Sequence, residues 1–80
     1  MKTVHVYYYA SLREERKLSQ ETIQSNAATL KELYQELRGI YQFSLSMDVL
    51  RVANNNEFVP WETPLKDGDM VVFIPPVAGG

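Results

Sequence analysis

Apolar and polar residues alternate from the first positions of the chain. Across Thr3 to Tyr9, Val4, Val6 and Tyr8 fall on one side and His5, Tyr7 and Tyr9 on the other, the period of two expected of a strand with one buried face. Ala10 to Ser19 contains the run Arg13-Glu14-Glu15-Arg16-Lys17 and reads as a solvated connection with room for a helical turn. A sparser strand is expected over Gln20 to Ser25, anchored by Ile23. The period then changes. Leu30, Leu33, Tyr34 and Leu37 recur at helical spacing and form one apolar stripe, while Thr29 and Glu32 have the spacing of a capping box at a helix start. The helix is expected over Leu30 to Arg38, with Gly39 as its left-handed stop. Residues 40–48 carry no clear period.

Two short strands, Leu50 to Ala53 and Glu57 to Val59, flank Asn54-Asn55-Asn56, a turn cluster that tolerates positive φ. After a second turn at Lys66-Asp67-Gly68-Asp69, Met70 to Ile74 forms a last strand, closed by Pro75-Pro76, which offer no ladder donors. The expected fold is α+β in the order ββαβββ: a mixed sheet of about five strands of the β-grasp (ubiquitin-like) type, with one main helix on one face. One domain over residues 1–74 and an extended tail over 75–80 follow. If Val71 and Phe73 face inward, then Met70, Val72 and Ile74 face outward beside Tyr7 and Tyr9 and leave an apolar patch. The alternative is that residues 40–48 fold over it.

Composition narrows the chemistry. Eighty residues with 45% apolar content support one small core, at a stability of roughly 4–12 kcal/mol. Such a domain has little surplus for a strained internal active site, which directs attention to the surface and the ends. The chain has no Cys and one His, which excludes disulfides, iron–sulfur ligation and thiol nucleophiles and leaves His5 unable to assemble a typical metal site. His5 is therefore expected to be a surface residue. The net charge of −2, with basic residues scattered among acidic ones, offers no cationic surface for nucleic acid or anionic membranes. Met1-Lys2-Thr3 leads directly into a strand pattern, so neither a signal peptide nor a membrane span is expected, and the cytoplasm is the expected location.

The segment Pro75-Pro76-Val77-Ala78-Gly79-Gly80 holds two of the four Pro and two of the four Gly in the chain. The prolines set a stiff extended start, and six residues at about 3.1–3.6 Å each reach roughly 20 Å. Gly79 and Gly80 lack Cβ atoms, so enclosing backbone can approach closely and a reagent can reach the Gly80 carbonyl carbon. An ATP-dependent partner could convert the Gly80 carboxylate to an acyl adenylate, and sulfur could replace AMP. The resulting thiocarboxylate is anionic and nucleophilic, a way for a Cys-free protein to hold and donate sulfur. The competing reading is an ordinary frayed terminus. Arg13 lies close enough to the first strand's end for a docking ion pair, Asp67 and Asp69 read as turn residues, and Trp61 as a plug at the core edge.

Taken together, these residues resemble the small subunit of molybdopterin synthase, the sulfur-carrier group often called MoaD. The likeness spans nearly the whole chain and is carried by Tyr8-Tyr9-Ala10 through Arg13-Glu14, by Thr29 to Leu37, and most specifically by Leu65-Lys66-Asp67-Gly68-Asp69 through Phe73-Ile74 and the tail. The resemblance implies a carrier whose Gly80 is adenylated by an E1-like enzyme using ATP and thiocarboxylated by a sulfur donor protein. The tail then enters the large synthase subunit and gives its sulfur to cyclic pyranopterin monophosphate, in a heterotetramer whose catalytic side chains belong to the large subunit. It implies no bound cofactor and no metal, and contact positions at Tyr9, Phe58 and Ile74, with Arg13 nearby and Pro75 to Ala78 in the inserted tail. Asn54 stands where the family pattern favours an apolar residue, and the second strand is unusually sparse. A thiamin-pathway sulfur carrier, a protein modifier conjugated through Gly80, and a non-covalent adaptor remain as alternatives.

Overall fold

The computed structural model describes residues 1–76. Its elements are β1 (Lys2–Tyr8), α1 (Ala10–Arg16), β2 (Gln20–Ser25), α2 (Leu30–Tyr41), a 3₁₀ turn (Met47–Val49), β3 (Arg51–Asn54), β4 (Glu57–Phe58) and β5 (Met70–Ile74). The strands form one mixed sheet in the order β2-β1-β5-β3-β4. β1 runs parallel to β5 and antiparallel to β2, while β3 is antiparallel to both β4 and β5. This is the expected β-grasp arrangement, with the last strand in the middle of the sheet.

Alternation sets the core. Val4, Val6 and Tyr8 of β1 and Val71 and Phe73 of β5 are fully buried beneath α2, which lays down Leu30, Leu33, Tyr34 and Leu37. The helix starts as its sequence requires, with Thr29 Oγ1 accepting the Glu32 N–H at 3.2 Å. The Glu32 carboxylate reaches one residue further back than a standard capping box, accepting the N–H of Ala28. Gly39 does not stop the helix: α2 continues to Tyr41 and Gln42 takes the left-handed cap at φ 56°. A mid-helix Gly costs about 1 kcal/mol, and here the added turn brings Tyr41 against Phe43 and beneath Arg16.

The stretch after β1 differs from the solvated connection expected of it. It is a true helix, α1, whose only buried residue is Leu12. Seven residues rarely hold a helix alone, so tertiary contacts carry this one. Arg16 donates to both oxygens of Glu21, from Nε at 2.9 Å and from NH2 at 2.8 Å, and its guanidinium carbon lies 3.9 Å from the Tyr41 ring centroid. The Tyr8 hydroxyl completes the cluster by donating to Glu21 at 2.7 Å. Burial acts to raise the Glu21 pKa, but the bonds from Arg16 and Tyr8 outweigh it and hold the carboxyl below its ordinary range.

Residues 40–48 also resolve. Phe43 inserts between Tyr8 and Tyr34, with ring centroids at 5.6 and 6.0 Å, so this segment closes the helix side of the core. Trp61 stacks on Phe73 at 6.0 Å and plugs the edge. Tyr34 packs edge-on against Phe73, and its hydroxyl donates to the Leu45 carbonyl at 2.7 Å. Burial pushes its pKa from 10.0 up to about 12, and burial followed by the bond to Glu21 raises Tyr8 as well. A raised folded-state pKa contributes stability that is complete below about pH 10 and lost as pH rises toward 12. Melting temperature should therefore fall across that window. Tyr34→Phe should cost about 1 kcal/mol at pH 7 by freeing the Leu45 carbonyl, and should flatten part of the alkaline decline in a melting series.

Candidate functional site

β5 leads into the C-terminal segment, so whatever fixes β5 also fixes where that segment starts. A buried carboxylate does much of this work. Asp69 Oδ2 accepts from the Lys66 N–H at 2.8 Å and from Asn54 Nδ2 at 3.1 Å, while Oδ1 accepts from Asn55 Nδ2 at 3.1 Å. Asn55 also accepts the Met70 N–H through its side chain and donates its own N–H to the Met70 carbonyl. Both central turn residues, Asn55 and Asn56, have positive φ, so the Asn cluster makes the turn expected of it. Gly68, at φ 86°, lets its turn fold against β1, donating its N–H to the Thr3 carbonyl while Asp67 Oδ1 accepts the Thr3 N–H. Asn54, out of place by family pattern, is thereby explained through Nδ2; its buried Oδ1 has no partner among the described residues.

On the face away from α2, register assembles an apolar row. Tyr7 pairs with Val72, Val72 with Ala53, and Ala53 with Phe58, and directly paired residues share a face. Ile74 pairs with Arg51 on the same face. Residues 40–48 pack on the other side, and along this row Ala53 is buried while Tyr7, Val72 and Ile74 are half-buried. Phe58 is 63% exposed and Tyr9 50%, and the Arg51 guanidinium carbon lies 5.4 Å from the Phe58 ring centroid.

Two hollows flank the end of β5. One, of about 400 Å³, is lined by Tyr9, Ala10, Ser11 and Glu14 together with Ile74, Pro75 and Pro76. The other, of about 290 Å³, is lined by Val49, Arg51, Ile74, Pro75 and Pro76. Of the residues singled out from sequence, Tyr9, Ile74, Pro75 and Pro76 thus meet in one place. Phe58 sits two strands away from β5, beside a separate hollow with Trp61, and Arg13 is exposed on α1 without lining any of these. Val77, Ala78, Gly79 and Gly80 lie outside the described residues. His5 is exposed, with Nδ1 3.0 Å from Thr22 Oγ1. Among the described residues no cluster of three His, Cys, Asp or Glu could hold a metal, and no helix is long and apolar enough to cross a membrane. Sequence reading missed Ala10, Ser11, Glu14, Val49 and Arg51. The first three lie in a charged run that reads as loop, where Leu12 is the one signal of an amphipathic turn.

The chain matches the ThiS family over residues 6–80. It is 30% identical, over 96% of its length and 99% of the relative's, to the molybdopterin synthase sulfur carrier subunit of Escherichia coli K12. Among solved structures it is similar to a chain in the complex of subunits 1 and 2 of the molybdopterin-converting factor from Helicobacter pylori, with 32% identity, a TM-score of 0.68, and 98% of this chain and 99% of that one covered. It also matches SAMP1 of Haloferax volcanii at a TM-score of 0.79 with 98% and 99% coverage; at 21% identity this likeness speaks for the β-grasp fold alone.

The Asp69 clip makes a stability prediction. Burial acts to raise its pKa, but the bonds from Lys66, Asn55 and Asn54 prevail and hold it below the ordinary 3.8. A depressed pKa contributes stability that is complete above about pH 4 and lost as pH falls through the folded-state value. Asp69→Ala should cost about 1–3 kcal/mol at neutral pH by orphaning its donors, and the gap from the unaltered protein should narrow in denaturant titrations run below pH 4.

Proposed function

The chain belongs to the ThiS family, and from that premise we propose that it is the sulfur-carrying small subunit of a molybdopterin synthase. The observation that carries this reading is the 30% identity, over nearly the full length, to a molybdopterin synthase sulfur carrier subunit, together with a family match that runs through Gly80. The apolar row that ends in the exposed Phe58 and the Tyr9 groove at the root of the tail support it, since a partner gripping the tail must dock there.

In this account the domain performs no catalysis. The Gly80 carboxylate attacks the α-phosphorus of ATP on an E1-like adenylyltransferase, releasing pyrophosphate and leaving an acyl adenylate. Sulfide (HS⁻) supplied by a donor protein attacks the acyl carbon, AMP departs with the bonding pair, and Gly80 retains a thiocarboxylate. Val77 and Ala78 continue the extended tail, and Gly79 and Gly80 admit the enclosing walls of the partner's channel. Inside the large synthase subunit the thiocarboxylate sulfur attacks a carbon of cyclic pyranopterin monophosphate, and an oxygen substituent leaves with its bonding pair. Water then hydrolyses the resulting thioester, returning the Gly80 carboxylate and leaving a thiolate on the pterin, and a second carrier supplies the second sulfur. Tyr9, Ile74 and Phe58 form the apolar contact and Arg13 lies at its rim.

Intact mass spectrometry after incubation with the activating enzyme, ATP and a sulfur donor should show one oxygen replaced by sulfur. The product should yield molybdopterin when given a large synthase subunit and the cyclic pterin. Turnover only with a thiazole synthase would assign the carrier to thiamin synthesis, and stable lysine adducts in place of sulfur transfer would make it a modifier. Deleting Gly80 should abolish transfer while leaving the melting temperature unchanged; a large stability loss would mean that the tail is structural. Tyr9→Asp and Ile74→Asp should each weaken large-subunit binding by at least about tenfold, as expected when charge enters an apolar contact, with circular dichroism unchanged.

A further inference from the structure

The two hollows beside the tail root differ in charge. The ionisable side chain lining the α1 hollow is Glu14, alongside the Tyr9 ring and Ile74, Pro75 and Pro76. On the opposite side of the same prolines, the hollow lined by Val49 and Ile74 carries Arg51. Neither charge is spent inside the protein: among the described residues the one salt bridge joins Arg16 to Glu21, and Arg51 meets only the Phe58 ring face. Both side chains are exposed, and both stand beside apolar surface that a docked partner would dry, where an ion pair gains strength.

We propose that Glu14 and Arg51 form a charge bracket that sets the orientation in which a partner enzyme takes the tail. The partner of stated chemistry is a channel mouth with a basic side chain on the α1 side and an acidic one on the β3 side. The Glu14 hollow suits a long cationic side chain, whose aliphatic stem lies along Ile74 and Pro75 while its head meets the Glu14 carboxylate and the Tyr9 ring face. The Arg51 hollow suits a carboxylate, which the planar guanidinium can hold through two parallel N–H donors. The apolar row alone permits several dockings; opposite charges on either side of the tail penalise the one turned around, because like charges then meet. This inference rests on the carrier reading above and adds the determinant of its docking geometry.

The test measures affinity of the intact chain for the large subunit of a molybdopterin synthase at low and high ionic strength, with Glu14→Lys, Arg51→Glu and the double variant. Each single reversal should weaken binding about tenfold. The double reversal keeps the formal net charge of −2, yet should weaken binding about a hundredfold if the two sites act independently, and high salt should narrow the differences. Restoration of affinity in the double variant would mean that only overall charge matters and would overturn the bracket, as would three variants that bind like the parent. Absence of binding by the parent chain would remove the carrier reading itself and the bracket with it. Glu14→Gln, which keeps the groove's shape, serves as the fold-neutral check: it should lose about threefold in affinity and most of the salt dependence on that side, and a parent-like result would equally overturn the proposal.

Discussion

The parallel pairing of β1 with β5 is the constraint from which the rest of this protein follows. It puts the last strand in the sheet's centre, between β1 and β3, so β5 is held along both edges. One face of that strand supplies Val71 and Phe73 to the core beneath α2, and the other supplies Val72 and Ile74 to a half-buried apolar row. A strand at the sheet edge could fray toward its end; a central one delivers the backbone to Pro75 at a fixed place and in a fixed direction. The β3–β4 turn reinforces this, because Asp69 ties it to the start of β5.

A domain of this size divides its labour by face and by end. The helix face is packed with aromatic rings, Tyr8, Tyr34, Phe43, Trp61 and Phe73 meeting at 5.1–6.5 Å between centroids. The ionisable cluster of Tyr8, Arg16, Glu21 and Tyr41 is satisfied internally and holds α1 in place. In the proposed carrier role, chemistry belongs to the tail and recognition to the sheet face and the two hollows at its root. A rigid platform suits a carrier, since partners can then read one surface wherever the tail is loaded or unloaded.

Much of this was legible in the residues. Strict alternation in Thr3 to Tyr9 and Met70 to Ile74, the helical stripe of α2, its Thr29–Glu32 cap and the triple-Asn turn each obey a local rule strongly enough to specify an element. The misses share a cause: tertiary contact overrode local pattern. α1 reads as charged loop because one buried residue, Leu12, and the ion pair of Arg16 with Glu21 on the neighbouring strand sustain it. Gly39 reads as a stop, but Tyr41 packing carries α2 one turn further. Residues 40–48 lack periodicity because Phe43 belongs to an aromatic cluster assembled from distant segments. The groove at the tail root was half visible, through Tyr9, Ile74 and the prolines, and its charged wall, Glu14, was hidden by the same misreading of α1.

The central claim is that the reactive group is the main-chain carboxylate of Gly80, presented by a domain that performs no catalysis. A chain extended by a single alanine after Gly80 tests this most directly, assayed for molybdopterin formation with the activating enzyme, ATP, a sulfur donor, the large subunit and the cyclic pterin. The account predicts a folded, partner-binding protein that yields no product. Full product formation, with mass spectrometry showing the added residue still attached, would contradict it.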